Sequence, residues 1–181
     1  MRRSLLTSCL AIAAALAGAT ASAQTTPPPA PPAPPSAGGT ADGIPFDIPY
    51  GVPVGAETAK RLIAAVEAEA TKHRWKMNIA VVDTHGELVA FLRMDGAQHG
   101  SIVVAQGKAR TAARFRRESR AFYNLFETGH TYVTTLDPTI VASPGGLPLV
   151  EAGRIIGAIG CSGGTGDQDA AACKAGADLV K

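Results

Sequence analysis

The sequence is short of the residues that build metal centres and cross-linked frameworks. Of its 181 residues only three are cysteines and four are histidines. Cys9 lies inside an N-terminal apolar run, which leaves Cys161 and Cys173 for the folded chain. Two cysteines allow one bridge at most, and a structural zinc site asks for four ligands. Cys161 stands in an apolar strand context and reads as a small core residue, so no bridge is expected. His73, His85, His99 and His130 include no pair at the i, i+4 spacing of a helical metal site. A Gly-x-Ser-x-Gly elbow is missing and no serine has an evident base partner, which leaves hydrolytic triad chemistry without support. Net charge is low as well. The formal +2 falls to zero once Arg2 and Arg3 are set aside. A neutral chain argues against nucleic acid or an anionic membrane face as a general partner. Beyond the N-terminal run, no apolar stretch approaches the roughly 20 residues that cross a bilayer.

That N-terminal run reads as a targeting segment. Arg2 and Arg3 supply a positive start, Leu5 to Ala17 is apolar apart from Thr7, Ser8 and Cys9, and Ala21-Ser22-Ala23 offers small-x-small cleavage chemistry. Residues 1–23 are therefore expected to be a signal peptide, and the mature protein to be periplasmic or secreted and free of the membrane. Residues 24–53 are expected to be a tether. Ten of the 13 prolines fall between Pro27 and Pro53, and proline lacks an amide donor and fixes φ, which favours extended chain without a core. The folded domain is then expected over 54–181, a normal single-domain length.

Hydrophobic period places the elements. Ala59, Leu62, Ile63, Val66 and Ala70 share one face of a helix over Glu57–Lys72. Asn78–Asp83 and Leu88–Met94 read as strands joined by the turn Thr84-His85-Gly86-Glu87. A second helix follows with Ser101 as its cap and runs through Ile102, Ala105, Ala109 and Ala113. A third spans about Glu118–Glu127, and Thr131–Ser143 is the least patterned stretch. Leu147–Val150 and Arg154–Cys161 form a second hairpin through Ala152-Gly153. A closing helix covers Asp167–Leu179, with Asp167 placed well for the helix dipole. The order α-β-β-α-α-β-β-α, with hairpins in place of crossovers, predicts an α/β domain with a central antiparallel sheet and helices packed on it.

Candidate chemistry concentrates on the second helix and the last loop. Val104, Lys108, Thr111 and Phe115 share a helical stripe that mixes apolar surface with a cation and a hydroxyl. Lys108, Arg110, Arg114, Arg116, Arg117 and Arg120 place six cations within 13 residues, with Glu118 the lone acid among them. The run is read either as a solvated face or as a clamp for carboxylates. Ser162-Gly163-Gly164-Thr165-Gly166 precedes a helix, so its amides are candidates to cradle an anion, although a tight strand-to-helix turn explains it as well. It lacks the spacing of a P-loop or a dinucleotide fingerprint. Each histidine reads first as solvent-facing structure, with His99 the best placed to reach a ligand beside Lys108 and Thr111.

The segment Val82-Asp83-Thr84-His85-Gly86-Glu87-Leu88-Val89-Ala90-Phe91-Leu92-Arg93-Met94-Asp95-Gly96 resembles the hairpin signature of the GlcG/HbpS-like, heme-degrading (DUF336) family. Lys108-Ala109-Arg110-Thr111-Ala112, Pro144-Gly145-Gly146-Leu147-Pro148 and Gly157-Ala158-Ile159-Gly160-Cys161-Ser162-Gly163-Gly164 are similar to its other blocks, in order. The likeness spans 54–181, matching only loosely over Tyr123–Ser143. It implies an α/β/α-type, profilin-like domain, homo-oligomers, and heme as a cofactor in some members. By position it also implies Thr111 as iron ligand, with Lys108 and Arg110 beside heme propionates. A hydroxyl is a poor iron ligand beside imidazole or thiolate, so such a site would be weak or exchangeable.

Three functions follow as expectations. The first is an exported heme-binding protein that scavenges or buffers heme, with slow heme degradation as an extension. It requires an apolar slot near Thr111, rimmed by Lys108, Arg110 and His99. The second is a domain that binds a small organic acid through Arg93, Arg110 and the loop Gly163-Gly164-Thr165. The third is an enzyme acting on a small acid, with Asp83 or Asp95 as base. The residues favour a binding protein over an established enzyme.

Overall fold

A computed structural model describes residues 46–180. The expected signal peptide and most of the proline-rich stretch lie outside the described residues. The elements run α1 (Ala56–Lys72), β1 (Asn78–Val82), β2 (Leu88–Arg93), α2 (Ser101–Phe115), α3 (Arg120–Glu127), a 3-10 turn (Thr131–Thr135), β3 (Gly146–Glu151), β4 (Arg154–Ser162) and α4 (Gly166–Ala177). This is the α-β-β-α-α-β-β-α order expected from periodicity. The four strands form one antiparallel sheet in the order β2-β1-β4-β3.

Two central strands are covered on both faces. Every residue of β1 is buried, as is every residue of β4 after Arg154. Alternation then assigns the faces. Ile79, Val81, Ile159 and Cys161 point to the side where α1 and α4 pack, joining Leu62, Ile63, Val66 and Ala70. Fully burying an aliphatic side chain stabilises by roughly 1.5–3 kcal/mol, so this layer carries most of the hydrophobic driving force. Ala80, Val82 and Ala158 point to the other side, where α2 offers Ala105, Ala109, Ala112 and Ala113. Small residues on both surfaces let that helix lie close to the sheet. A Cβ added at Gly160 would stand 2.2 Å from the Ala105 carbonyl oxygen, and one at Gly146 would stand 2.2 Å from that of Lys108. Both glycines are needed for the approach. Pro148 sits on β3, an edge strand, where a missing amide donor is tolerated.

Four expectations need correction. Cys161 and Cys173 are bonded, S–S 2.07 Å and Cα–Cα 5.6 Å, because α4 turns back along β4 and sets the two residues face to face. Ser101 does not cap α2. The cap position is Gly100, and the Ser101 hydroxyl instead meets Gln98 Nε2 at 2.7 Å and Ser162 Oγ at 3.0 Å inside the structure. The third helix begins at Arg120. Glu118 and Ser119 belong to a turn whose Ser119 hydroxyl donates to the Ser143 carbonyl and accepts from the Gly146 amide. Finally, residues 46–53, assigned to the tether, are bound to the domain. Gly51 N donates to Ile155 O at 2.8 Å, Ile155 N to Pro49 O at 2.9 Å, and Val54 N to Ile156 O at 2.7 Å. This arm continues along β4 beyond the end of β1, with Tyr50 parallel to Ile155.

Candidate functional site

The residues of the expected slot are engaged inside the fold. Lys108 is 1% exposed and Asp169 2%. Lys108 Nζ donates to Asp169 Oδ2 at 2.6 Å. The second oxygen, Asp169 Oδ1, accepts from Gly163 N at 3.0 Å and Gly164 N at 2.9 Å. Burying an ammonium and a carboxylate costs several kcal/mol each unless further hydrogen bonds complete them, and here the glycine amides do so. The loop therefore cradles an anion, as its composition suggested, but the anion is the protein's own. Thr165 is likewise engaged. Its hydroxyl accepts from Gln168 N and its amide donates to Gln168 Oε1, a capping box at the start of α4.

Thr111 is 1% exposed. Its hydroxyl donates to Gly107 O at 2.8 Å and accepts from Val141 N at 3.0 Å. The irregular strap 136–143 lies across α2 here. The slot expected beside Thr111 is filled by that strap.

The basic run divides among partners. Arg110 Nε donates to Gly86 O at 3.3 Å. Arg116 pairs with Asp47 at 3.7 Å, donates to Ile48 O at 3.3 Å and lies over the Tyr50 ring. Arg117 is sandwiched between the rings of Phe46 and Phe122, 4.2 and 4.6 Å from their centroids. Desolvation there lowers its pKa from the ordinary guanidinium value. Arg120 pairs with Asp167 at 2.7 Å. The run is neither one solvated face nor one clamp.

Arg114 is placed differently. Its Nε donates to His85 O at 2.8 Å, while Nη1 and Nη2 reach Asp137 Oδ2, Thr139 Oγ1 and Glu87 Oε1 only at 3.4 Å each. It forms one wall of an open cleft of about 460 Å3 with Tyr50, Gly51, Pro53, Thr84 and His85. The Tyr50 hydroxyl donates to Arg114 O at 2.9 Å, closing the end of α2 and turning the ring into a wall. The His85 side chain is 80% exposed. Two further clefts, of about 300 and 260 Å3, lie by the start of α4 and between β3 and the end of α4. Thr111 lines none of the three.

The other candidates are apart. Arg93 is exposed at the end of β2, in register with Asn78 and so at the sheet end where β4 delivers the glycine loop. Arg110 sits at the opposite end, a length of β1 away, roughly 16 Å at 3.3 Å per residue. The acid-binding set of Arg93, Arg110 and the loop is not brought together. His99 is exposed before α2 starts, whereas His85 lies against its far end, separated by a helix roughly 22 Å long. Asp83 Oδ1 accepts from His85 N and Glu87 N, so this carboxylate builds the hairpin turn. Asp95 is an exposed turn residue. His85 was legible only as a turn histidine, because nothing local in the sequence brings Tyr50 and Arg114 beside it.

Helices on both faces of a β2-β1-β4-β3 antiparallel sheet, with a cleft at one end between a hairpin turn and a helix terminus, define a class of small α/β domain. The model of the family described as "Haem degrading protein HbpS-like" matches residues 54–178, and the chain belongs to that family. Protein GlcG of Escherichia coli K12 is 42% identical over 106 residues, which cover 59% of this chain and 78% of GlcG. HbpS of Streptomyces reticuli, solved as a double mutant, superposes with a TM-score of 0.67 at 25% identity, covering 78% of this chain and 96% of HbpS. The PduOC domain, solved as a heme complex, has the same fold. Its TM-score is 0.67 at 24% identity, covering 72% of this chain and 96% of PduOC.

Proposed function

We propose that this is an exported heme-binding protein and that heme enters the cleft between the Tyr50 arm, the His85 turn and Arg114. One observation carries the reading. The cleft joins an exposed imidazole, a guanidinium and apolar wall surface in a volume typical of small-molecule sites. Imidazole is a strong iron ligand and a hydroxyl a weak one, so His85 would hold the iron better than Thr111, whose hydroxyl is already engaged on both sides. Lys108 does not face a propionate, because its charge is met by Asp169. The family description names haem, and a domain of this fold has been solved with heme. The Cys161–Cys173 bridge supports export, since structural disulfides persist in oxidising compartments.

Hemin titration of the purified protein, followed by the Soret band, tests the reading. A saturable shift is expected, weakened strongly by His85→Ala and little by His99→Ala or Thr111→Ala. Absorbance that grows without saturation, as with the denatured chain, sinks it. Expression in a Gram-negative host tests export. Periplasmic protein beginning at Gln24 is expected, and uncleaved protein confined to the cytoplasm refutes it.

A further inference from the structure

We infer that Arg114 is the carboxylate-recognising residue of the cleft, and that an incoming ligand carboxylate displaces Glu87 from it. The inference rests on the heme reading and adds the residue that selects an acid-bearing ligand. It starts from an imbalance in the contacts of one guanidinium. The Nε hydrogen bond to the His85 carbonyl, at 2.8 Å, is of full strength and fixes the plane of the group. The two terminal nitrogens are poorly met, each of their three contacts standing at 3.4 Å. A charge-assisted N–H···O bond is normally 2.7–2.9 Å long. Arg114 therefore presents a held but unsaturated fork to the cleft.

The present occupants can leave at little cost. The Glu87 side chain is 68% exposed, so on release it returns to water. Asp137 keeps its shorter bonds without Arg114, because its Oδ1 accepts from Thr139 N at 2.7 Å and Thr139 Oγ1 at 2.6 Å, while only the 3.4 Å contact of Oδ2 goes to the guanidinium. Of the run's other cations, Lys108 and Arg120 are closely paired, Arg116 and Arg117 serve the arm, and Arg110 donates to the Gly86 carbonyl at 3.3 Å without lining the cleft. Arg114 is the one member of the run that lines this cleft. From α2 it also leans on the hairpin turn that carries His85, and both side chains line the cleft, so a ligand seated on the imidazole places its periphery within reach of the fork.

The test compares hemin with hemin dimethyl ester, which keeps the iron and ring but has no carboxylates. The unaltered protein is expected to prefer hemin by roughly ten- to a hundredfold, the worth of a charge-assisted pair. Arg114→Met is expected to erase that preference, so that hemin and the ester bind alike, and Arg114→Lys to keep part of it. Glu87→Gln, a surface change, is expected to tighten hemin and leave the ester unaltered. Equal affinity of the unaltered protein for both compounds overturns the inference and leaves the heme reading standing, as does an unchanged preference in Arg114→Met. If neither compound binds saturably, the heme reading fails and the inference fails with it. Should Arg114→Met not fold, the ester comparison and Glu87→Gln still decide.

Discussion

Lys108 looks in sequence like a residue for a ligand carboxylate and in the fold is paired with a carboxylate of the protein itself, Asp169. Removing one member of a buried pair leaves the other charge without its counterion, which costs about 3–5 kcal/mol. Lys108→Met is expected to lower the unfolding free energy, read from urea titration, by that amount, whereas Lys60→Met, at a solvent-exposed pair, is expected to leave it unchanged within error. The glycine loop was legible as an anion cradle, yet its anion was not, because Asp169 meets Lys108 across 61 residues of chain and no spacing signals such a partner. Asp137 gives the residue scale a pH dependence. Hydrogen bonds from the Thr139 hydroxyl and amide, opposed by desolvation and aided by Arg114, hold its carboxyl below the ordinary value. A depressed folded pKa stabilises above the unfolded pKa and loses that contribution as pH falls through the folded one. Titration by NMR is expected to show the Thr139 amide shifting at a pH below the ordinary aspartate range, and Asp137→Asn to remove that transition.

At the scale of elements, period and turn chemistry made the helices and both hairpins readable, since each buries the face its sequence marks. The five apolar residues that set the pattern of α1 are the five it buries. The cystine was not readable. A half-cystine and a small core thiol have the same apolar strand context, and only the return of α4 along β4 distinguishes them. The bridge closes a loop with a sequence separation of 12, which stabilises by about 3 kcal/mol in the chain-entropy picture. Reduction under non-denaturing conditions is expected to leave the fold in place and lower its unfolding free energy by about that much. An unchanged midpoint with and without reductant would contradict it. The strap over α2 was the least patterned stretch in the sequence, and its seat on Thr111 and Gly107 has no periodic signature to betray it.

For the whole molecule, the order of elements was legible and the edge of the domain was not. Proline density marked 24–53 as chain without a core, but Phe46 and Tyr50 were the signal to weigh against it. Their rings take up Arg117 and Arg116, and the backbone between them bonds to β4. A protein starting at Val54 is expected to melt several degrees below one starting at Phe46 and to lose the Tyr50 wall of the cleft. Equal melting temperatures would return the arm to the tether. The sheet order has a consequence in time. β1 lies between β2 and β4, and β3 pairs with β4, so one of the two central strands is the last strand the ribosome makes. Until β4 emerges, the nascent chain owns one marginal hairpin, an unpaired edge and helices that lack part of the surface they pack on. The sheet cannot be completed until β4 has been made, however early its first hairpin forms.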